Sequence, residues 1–200
     1  MIGMFPNLFN HMKLVASTPI RNSGTIGGNL VNASPIGDLT AFFLALNSSI
    51  LIQNNNGDQR DLFLKDFYRG YKTYDLAVDE HLIKIQFDMP RENTHFNFEK
   101  VSKRTYLDIA SVNSAMSIIL SGMIISDIHI SAGGVAPIPK YLAKTRAFLL
   151  GKILNEKTIL AAIDIMQDEI APISDARGTE SYKRLLLRQL FWAHFLELFP

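Results

Sequence analysis

Apolar residues recur at helical spacing near the start of the chain (Met4, Phe5, Leu8, Phe9, Met12, Val15), which predicts a helix over residues 4–16. A second apolar run, residues 39–46, follows Ser34 and Pro35. Ser34 has the side chain of an N-cap and Pro35 suits the first helical position. That pattern predicts a helix over 34–47, ending near Asn47. Strand patterns then take over. Residues 49–53 read as a strand, Asn54-Asn55-Asn56-Gly57-Asp58 as a turn, and 62–64 as the returning strand. Residues 82–89 and 96–100 read as another pair, separated by Pro90-Arg91-Glu92-Asn93.

Beyond Lys103 the pattern changes. Residues 112–120 and 123–130 form a hairpin about Ser121-Gly122. Helices are expected at 139–151, 156–170 and 179–198. The middle one carries Ile159, Ile163, Met166 and Ile170 on one face, and the last carries Leu185, Leu186, Leu190, Ala193 and Leu196. Both stripes read as core. The expected architecture is α+β in two units: residues 1–102, and residues 103–200 as a small antiparallel sheet covered by three helices.

Composition narrows the function. Two hundred residues with 48% hydrophobic and 20% charged side chains can bury a core. A net charge of +1 gives no electrostatic reason to expect nucleic acid or an anionic membrane surface as partner. The absence of cysteine excludes disulfides, a thiol nucleophile and a cysteine-held iron–sulfur cluster in this chain. His11, His81, His95, His129 and His194 are scattered without ligand spacing, so no metal site is expected. No Lys or Arg stands in the first ten residues and no apolar run could span a bilayer, so a cytoplasmic location is the default expectation.

The chemistry concentrates in Arg21-Asn22-Ser23-Gly24-Thr25-Ile26-Gly27-Gly28-Asn29-Leu30, which runs on to Ala33-Ser34-Pro35-Ile36-Gly37-Asp38. Four of the 12 glycines fall here, at positions 24, 27, 28 and 37. Glycine lets a ligand approach the backbone, and successive amide N–H groups can hold phosphate oxygens. A glycine loop feeding a helix start outlines an anion site. A tight connection without ligand would use the same residue types.

The order of these residues resembles the second FAD-contacting segment of the molybdenum-containing hydroxylases, and within them the flavin part of the xanthine dehydrogenases. Further stretches resemble the same family in the same order. Phe67-Tyr68-Arg69-Gly70-Tyr71-Lys72-Thr73 is similar to its aromatic glycine-tyrosine stretch, without that stretch's arginine. Leu82 and Ile83 ahead of Pro90 are similar to an Ile-Leu strand. Phe98-Glu99-Lys100 through Asp108-Ile109-Ala110, Ser131-Ala132-Gly133-Gly134-Val135-Ala136-Pro137, and Arg177-Gly178-Thr179 through Tyr182-Lys183-Arg184 resemble the terminal domain. The likeness covers about residues 11–198.

The resemblance implies the second half of a two-lobed FAD-binding domain followed by a terminal domain like that of the CO dehydrogenase flavoprotein. It implies an oxidoreductase component that takes electrons from iron–sulfur centres through FAD to NAD⁺, with the molybdenum cofactor and the clusters on partner subunits. It places Thr25, Ile26, Gly27, Gly28 and Asn29 around the FAD phosphates and ribityl chain, and Asp38 as acceptor for an FAD hydroxyl. Leu82 would pack beside the flavin, and Lys100 would lie near it as a cation. Without a flavin, Asp38 reads as a first-turn carboxylate, Leu82 as core and Lys100 as a solvated strand-end lysine. No residue is expected to perform acid–base chemistry on substrate.

The family's first phosphate loop, Gly-Gly-Thr or Gly-Asn-Thr after a strand, has no counterpart before Met12. Another chain that supplies the first half of the site, a fragment of a longer protein, and a split or decayed gene all fit that departure. So do three functions: a xanthine-type flavin component, one for CO, aldehydes or aromatic acyl thioesters, and a docking remnant without FAD.

Overall fold

The computed structural model describes residues 5–91 and 93–200, so Met4 of the expected first helix and Glu92 of the expected turn lie outside the described residues. Four short helices open the chain: α1 (Leu8–Lys13), α2 (Thr18–Ser23), α3 (Ile26–Val31) and α4 (Asp38–Ala45). The continuous helix expected over 4–16 stops at Lys13, and Ala16 turns the chain at φ 48°. Ser17 then restarts it in extended geometry, its hydroxyl accepting from Ile20 N–H, with Pro19 in the first turn. The glycine segment expected as a loop is itself the helix α3. The helix expected from Ser34 begins at Asp38 instead. Ser34 and Gly37 close a turn between them (Gly37 N–H to Ser34 C=O, 3.0 Å), and Gly37 stands at the cap.

Next come β1 (Ser49–Asn54), β2 (Gln59–Phe63), α5 (Leu64–Phe67), β3 (Tyr68–Gly70), β4 (Thr73–Tyr74) and β5 (Glu80–Gln86). The β1–β2 turn is closed by Asn54, whose Oδ1 accepts from the Asn56 and Asp58 amides, while Gly57 takes φ 92°. The sheet order is β2-β1-β5, all antiparallel. The chain then leaves this sheet through Pro90 and enters β6 (Thr94–Val101), β7 (Val112–Ser121), β8 (Ile124–Gly133) and β9 (Lys140–Tyr141), a sheet ordered β6-β7-β8-β9.

The expected pairing of 82–89 with 96–100 is therefore wrong. β5 sets Leu82 and Ile85 against Ile52 and Ile50 of β1, whereas β6 pairs along its length with β7, from Thr94↔Ile119 to Val101↔Val112. β5 reaches back to β1 and β6 pairs forward with β7, so each strand buries its apolar face against a partner other than the one expected. The 112–130 hairpin is present, turning at Gly122-Met123. Three helices follow it: α6 (Ala143–Leu149), α7 (Glu156–Glu169) and α8 (Glu180–Leu198). No described helix is long and apolar enough to cross a membrane.

Two hydrophobic clusters result. One joins Val112, Met116, Ile128 and Ile130 of the second sheet to Ile159, Ile163 and Met166 of α7 and Leu187, Phe191 and Phe195 of α8. The other joins Leu30, Phe42, Leu44, Ile50, Ile52 and Phe67 to Phe98 and Ala115, which come from the second sheet. The first half therefore rests on strands of the second, with the Phe42 and Phe96 rings 4.5 Å apart.

A buried polar chain crosses the same boundary, and its donors can be assigned. The Ser114 hydroxyl donates to the Ser131 carbonyl (2.9 Å), so it accepts from His194 Nε2–H (2.9 Å). His194 Nδ1 then accepts from Asn97 Nδ2 (3.2 Å), whose other proton goes to Glu99 (2.8 Å). Asn97 Oδ1 is left to accept from His11 Nε2–H of α1 (3.2 Å). Both histidines are neutral in this arrangement. Burial pushes the fully buried His194 down to about 3, and His11 also shifts down, chiefly through burial.

A histidine held below its ordinary 6.5 binds its proton more readily in the unfolded chain, so stability is lost as pH falls from 6.5 toward 3. Denaturant midpoints should fall over this range in the wild type. His194→Gln should flatten the slope, and an unchanged slope would contradict the assignment.

Candidate functional site

Thr25, extended at φ −110° and ψ 154°, caps α3 by accepting Gly28 N–H on its hydroxyl (2.9 Å). The glycines on either side have local reasons to be glycine. A Cβ at Gly28 would stand 2.9 Å from the Thr25 hydroxyl that makes the cap, and one at Gly24 would stand 3.0 Å from the Ile20 carbonyl. Gly27 is different. Its φ is not positive, and a Cβ there would meet only Leu82 Cδ2, at an ordinary 3.8 Å. Glycine inside a helix costs about 0.5–1 kcal/mol relative to alanine. Packing among the described residues does not call for a glycine here. Among the described residues, the first-turn amides of Ile26 and Gly27 have no protein acceptor.

The structure thus brings Thr25, Ile26, Gly27, Gly28 and Asn29 onto one short helix and sets Leu82 of β5 beside Gly27. Asn29 is partly engaged, its Oδ1 accepting from the Thr40 hydroxyl of α4 (3.4 Å). Next to this helix lies an open groove of about 510 Å³, lined by Thr25, Ile26 and Asn29 on one side and by Phe5, Met12, Phe42, Phe43 and Phe87 on the other. Sequence reasoning missed this groove. Its aromatic residues are scattered over the first 87 positions, and only folding assembles them.

Asp38 and Lys100 meet in a second cluster. The Lys100 ammonium donates to Asp38 Oδ2 (2.7 Å) and to the Leu14 carbonyl (2.7 Å). Its side chain is 3% exposed and that of Asp38 13%, so the solvated strand-end lysine that a flavin-free reading expects is not what the fold contains. Asn113 of β7 donates to the other carboxylate oxygen (2.7 Å) and to the Ile36 carbonyl (3.2 Å). Burial pushes the Asp38 carboxyl up from its ordinary value; Lys100 and, to a smaller degree, Asn113 pull it back. Asn113 was not among the expected site residues. The available signal was an amide inside the apolar run Val112 to Met116.

The family described as the FAD binding domain in molybdopterin dehydrogenase matches residues 2–90, and the CO dehydrogenase flavoprotein C-terminal domain matches residues 98–198. The chain belongs to this flavoprotein family of the molybdopterin dehydrogenases, an oxidoreductase family. It is 34% identical over 190 residues to xanthine dehydrogenase 1 of Arabidopsis thaliana, covering 92% of this chain and 14% of that protein. To the carbon monoxide dehydrogenase medium chain of Hydrogenophaga pseudoflava it is 29% identical over 187 residues, covering 92% of this chain and 64% of that one. In three dimensions it is similar to a solved carbon monoxide dehydrogenase of the same organism (TM-score 0.89, 28% identity), covering 96% of this chain and 69% of that chain. The chain spans about a seventh of the xanthine dehydrogenase and about two thirds of the medium chain. The expected family and α+β fold agree with these findings.

Two substitutions test the local account in the ligand-free protein by denaturant unfolding. Gly27→Ala should stabilise it by about 0.5–1 kcal/mol. Lys100→Met, which leaves a buried carboxylate without its cation, should destabilise it by about 3–5 kcal/mol.

Proposed function

We propose that this chain is the flavin-holding component of a xanthine dehydrogenase-type molybdenum hydroxylase, and that it relays electrons from iron–sulfur centres through FAD to NAD⁺. The observation that carries the reading is Gly27. Its missing side chain costs the free protein stability, and the space it leaves stands beside unpaired amides and Leu82. These residues fit a dinucleotide. Amides at Ile26 and Gly27 would donate to its phosphates, and the Asp38 carboxylate keeps lone pairs for a ligand hydroxyl beyond those used by Lys100 and Asn113. Leu82 would offer the ring an apolar contact. Bound FAD would supply a carrier able to pass electrons between one-electron centres and a two-electron acceptor.

Substrate oxidation belongs, in this reading, to a partner that holds the molybdenum cofactor, with an iron–sulfur subunit or domain between the two. A cytoplasmic setting goes with that assignment. The glyceraldehyde and carbon monoxide medium chains among the relatives keep aldehydes and CO open as substrates of the assembly. A second reading is favoured by the open aromatic groove beside the glycine helix. In it the chain is a docking module that holds FAD only after another polypeptide segment, carrying the first phosphate loop, closes over it.

Titration with FAD, followed by flavin absorbance and fluorescence quenching, separates these. Saturable binding by the wild type, weakened roughly tenfold or more by Gly27→Ala, supports the flavin-holding component. A colourless wild type supports the docking module, and binding indifferent to Gly27→Ala would contradict the loop assignment. For the NAD relay, anaerobic NADH should bleach the visible flavin band of the FAD-loaded assembly, and a band that persists would remove NAD from the proposal.

A further inference from the structure

The carboxylate of Asp38 is gripped from two sides, and both grips come from the second sheet. Lys100 of β6 takes Oδ2 and Asn113 of β7 takes Oδ1. Asn113 spends both amide protons on the first half of the molecule, since its second goes to the Ile36 carbonyl two residues before Asp38. Its own Oδ1 is buried without a hydrogen-bond partner, so the residue is not there to satisfy itself. An unpaired buried acceptor costs stability.

The end of β8 is shaped around this amide. Gly133 is the register partner of Asn113, and a Cβ there would overlap the Asn113 side chain and press on Ile36. Gly134, at φ 82°, donates its N–H to the Pro35 carbonyl (2.9 Å), and a Cβ there would collide with the Ser111 carbonyl. Gly133 therefore clears the space in which Asn113 reaches the 35–38 turn, and Gly134 lets the chain pass close to Ser111 and Ile36.

We propose that Asn113 is a positioning residue of the flavin site, acting through Asp38 by holding its carboxylate in the orientation that accepts a ligand hydroxyl. This rests on the flavin reading above. Asn113 touches no cofactor itself. It fixes the Asp38 side chain against rotation, leaves Oδ2 to Lys100, and offsets a small part of the upward push that burial gives the carboxyl. Asn113→Leu removes both donors at nearly constant shape; Asn113→Ala serves the same tests if the leucine variant does not unfold cooperatively.

Two measurements test the assignment. In the ligand-free protein, ¹³C NMR titration of the Asp38 carboxyl should show its pKa raised by Asn113→Leu; an unchanged value overturns the contact. In the FAD-bound protein, Asn113→Leu should weaken FAD roughly tenfold, the worth of a lost hydrogen bond to a charged group. It should change affinity by less than about twofold when Asp38 is already alanine, because its effect passes through that residue. Losses that add independently in the double variant would overturn the positioning role and leave the flavin reading standing. A wild type that takes no FAD would overturn the flavin reading and the role that rests on it, and the NMR result would still report on the Asp38 contact.

Discussion

A carboxylate withdrawn from water needs donors, and among the described residues Asp38 finds them on the second sheet. Lys100 and Asn113 lie 62 and 75 residues further along the chain, yet both reach it at 2.7 Å. The ion pair is nearly dry, so breaking it by removing one partner would strand the other charge. This constraint ties the first half of the chain to the second. The helix that carries Asp38 is pinned at its first residue. The turn that precedes it is held by Asn113 and Gly134, and the Leu14 carbonyl that ends the first helical stretch is held by Lys100. The His11-Asn97-His194-Ser114 chain repeats the design deeper in the molecule. A helix flanking the glycine segment is tied through a neutral, directed set of donors to the last helix of the chain. Two regions that match separate family descriptions are thereby one mechanical unit around the candidate site.

That rigidity bears on function. A site built from a short helix and one strand needs its neighbours to hold it, because a six-residue helix has little stability of its own. Here α3 is set by Thr25 at its start, by the Tyr68 hydroxyl on the Leu30 carbonyl (3.1 Å) at its end, and by Asn29 against Thr40 between them. What remains unsupported faces outward: the amides of Ile26 and Gly27 and the aromatic groove beside them. A support network that stops where the unpaired amides begin is what a binding surface requires.

The C-terminal half was largely legible in the sequence, because its signals are local. The β7–β8 hairpin follows from two apolar runs about a glycine. α7 follows from Ile159, Ile163 and Met166 at helical spacing, and the structure adds Asn155 as its cap. The first half was harder to read for physical reasons. Val15 continues the helical period of Phe5, Leu8 and Met12, but it is buried from a turn, so periodicity overran the real helix end. Ser34 does engage a nearby amide, that of Ile36, but it builds a turn and not a helix cap. The partners of β5 and β6 could not be read, since burial of both faces is decided across the whole chain. In the candidate site, Thr25 to Asn29 were visible through glycine spacing. The burial of Lys100 and the role of Asn113 were invisible, because each depends on a partner more than 60 residues away.

In the proposed function, a flavin dinucleotide sits at the exposed start of α3, with Leu82 beside it. Amide and methyl NMR of the labelled chain titrated with FAD tests it most directly. Saturable shifts should concentrate at the Ile26 and Gly27 amides and the Leu82 methyls, with the buried Ile163 and Phe191 region unmoved. Shifts that cluster away from Gly27, or that leave its amide untouched while FAD binds, would contradict it.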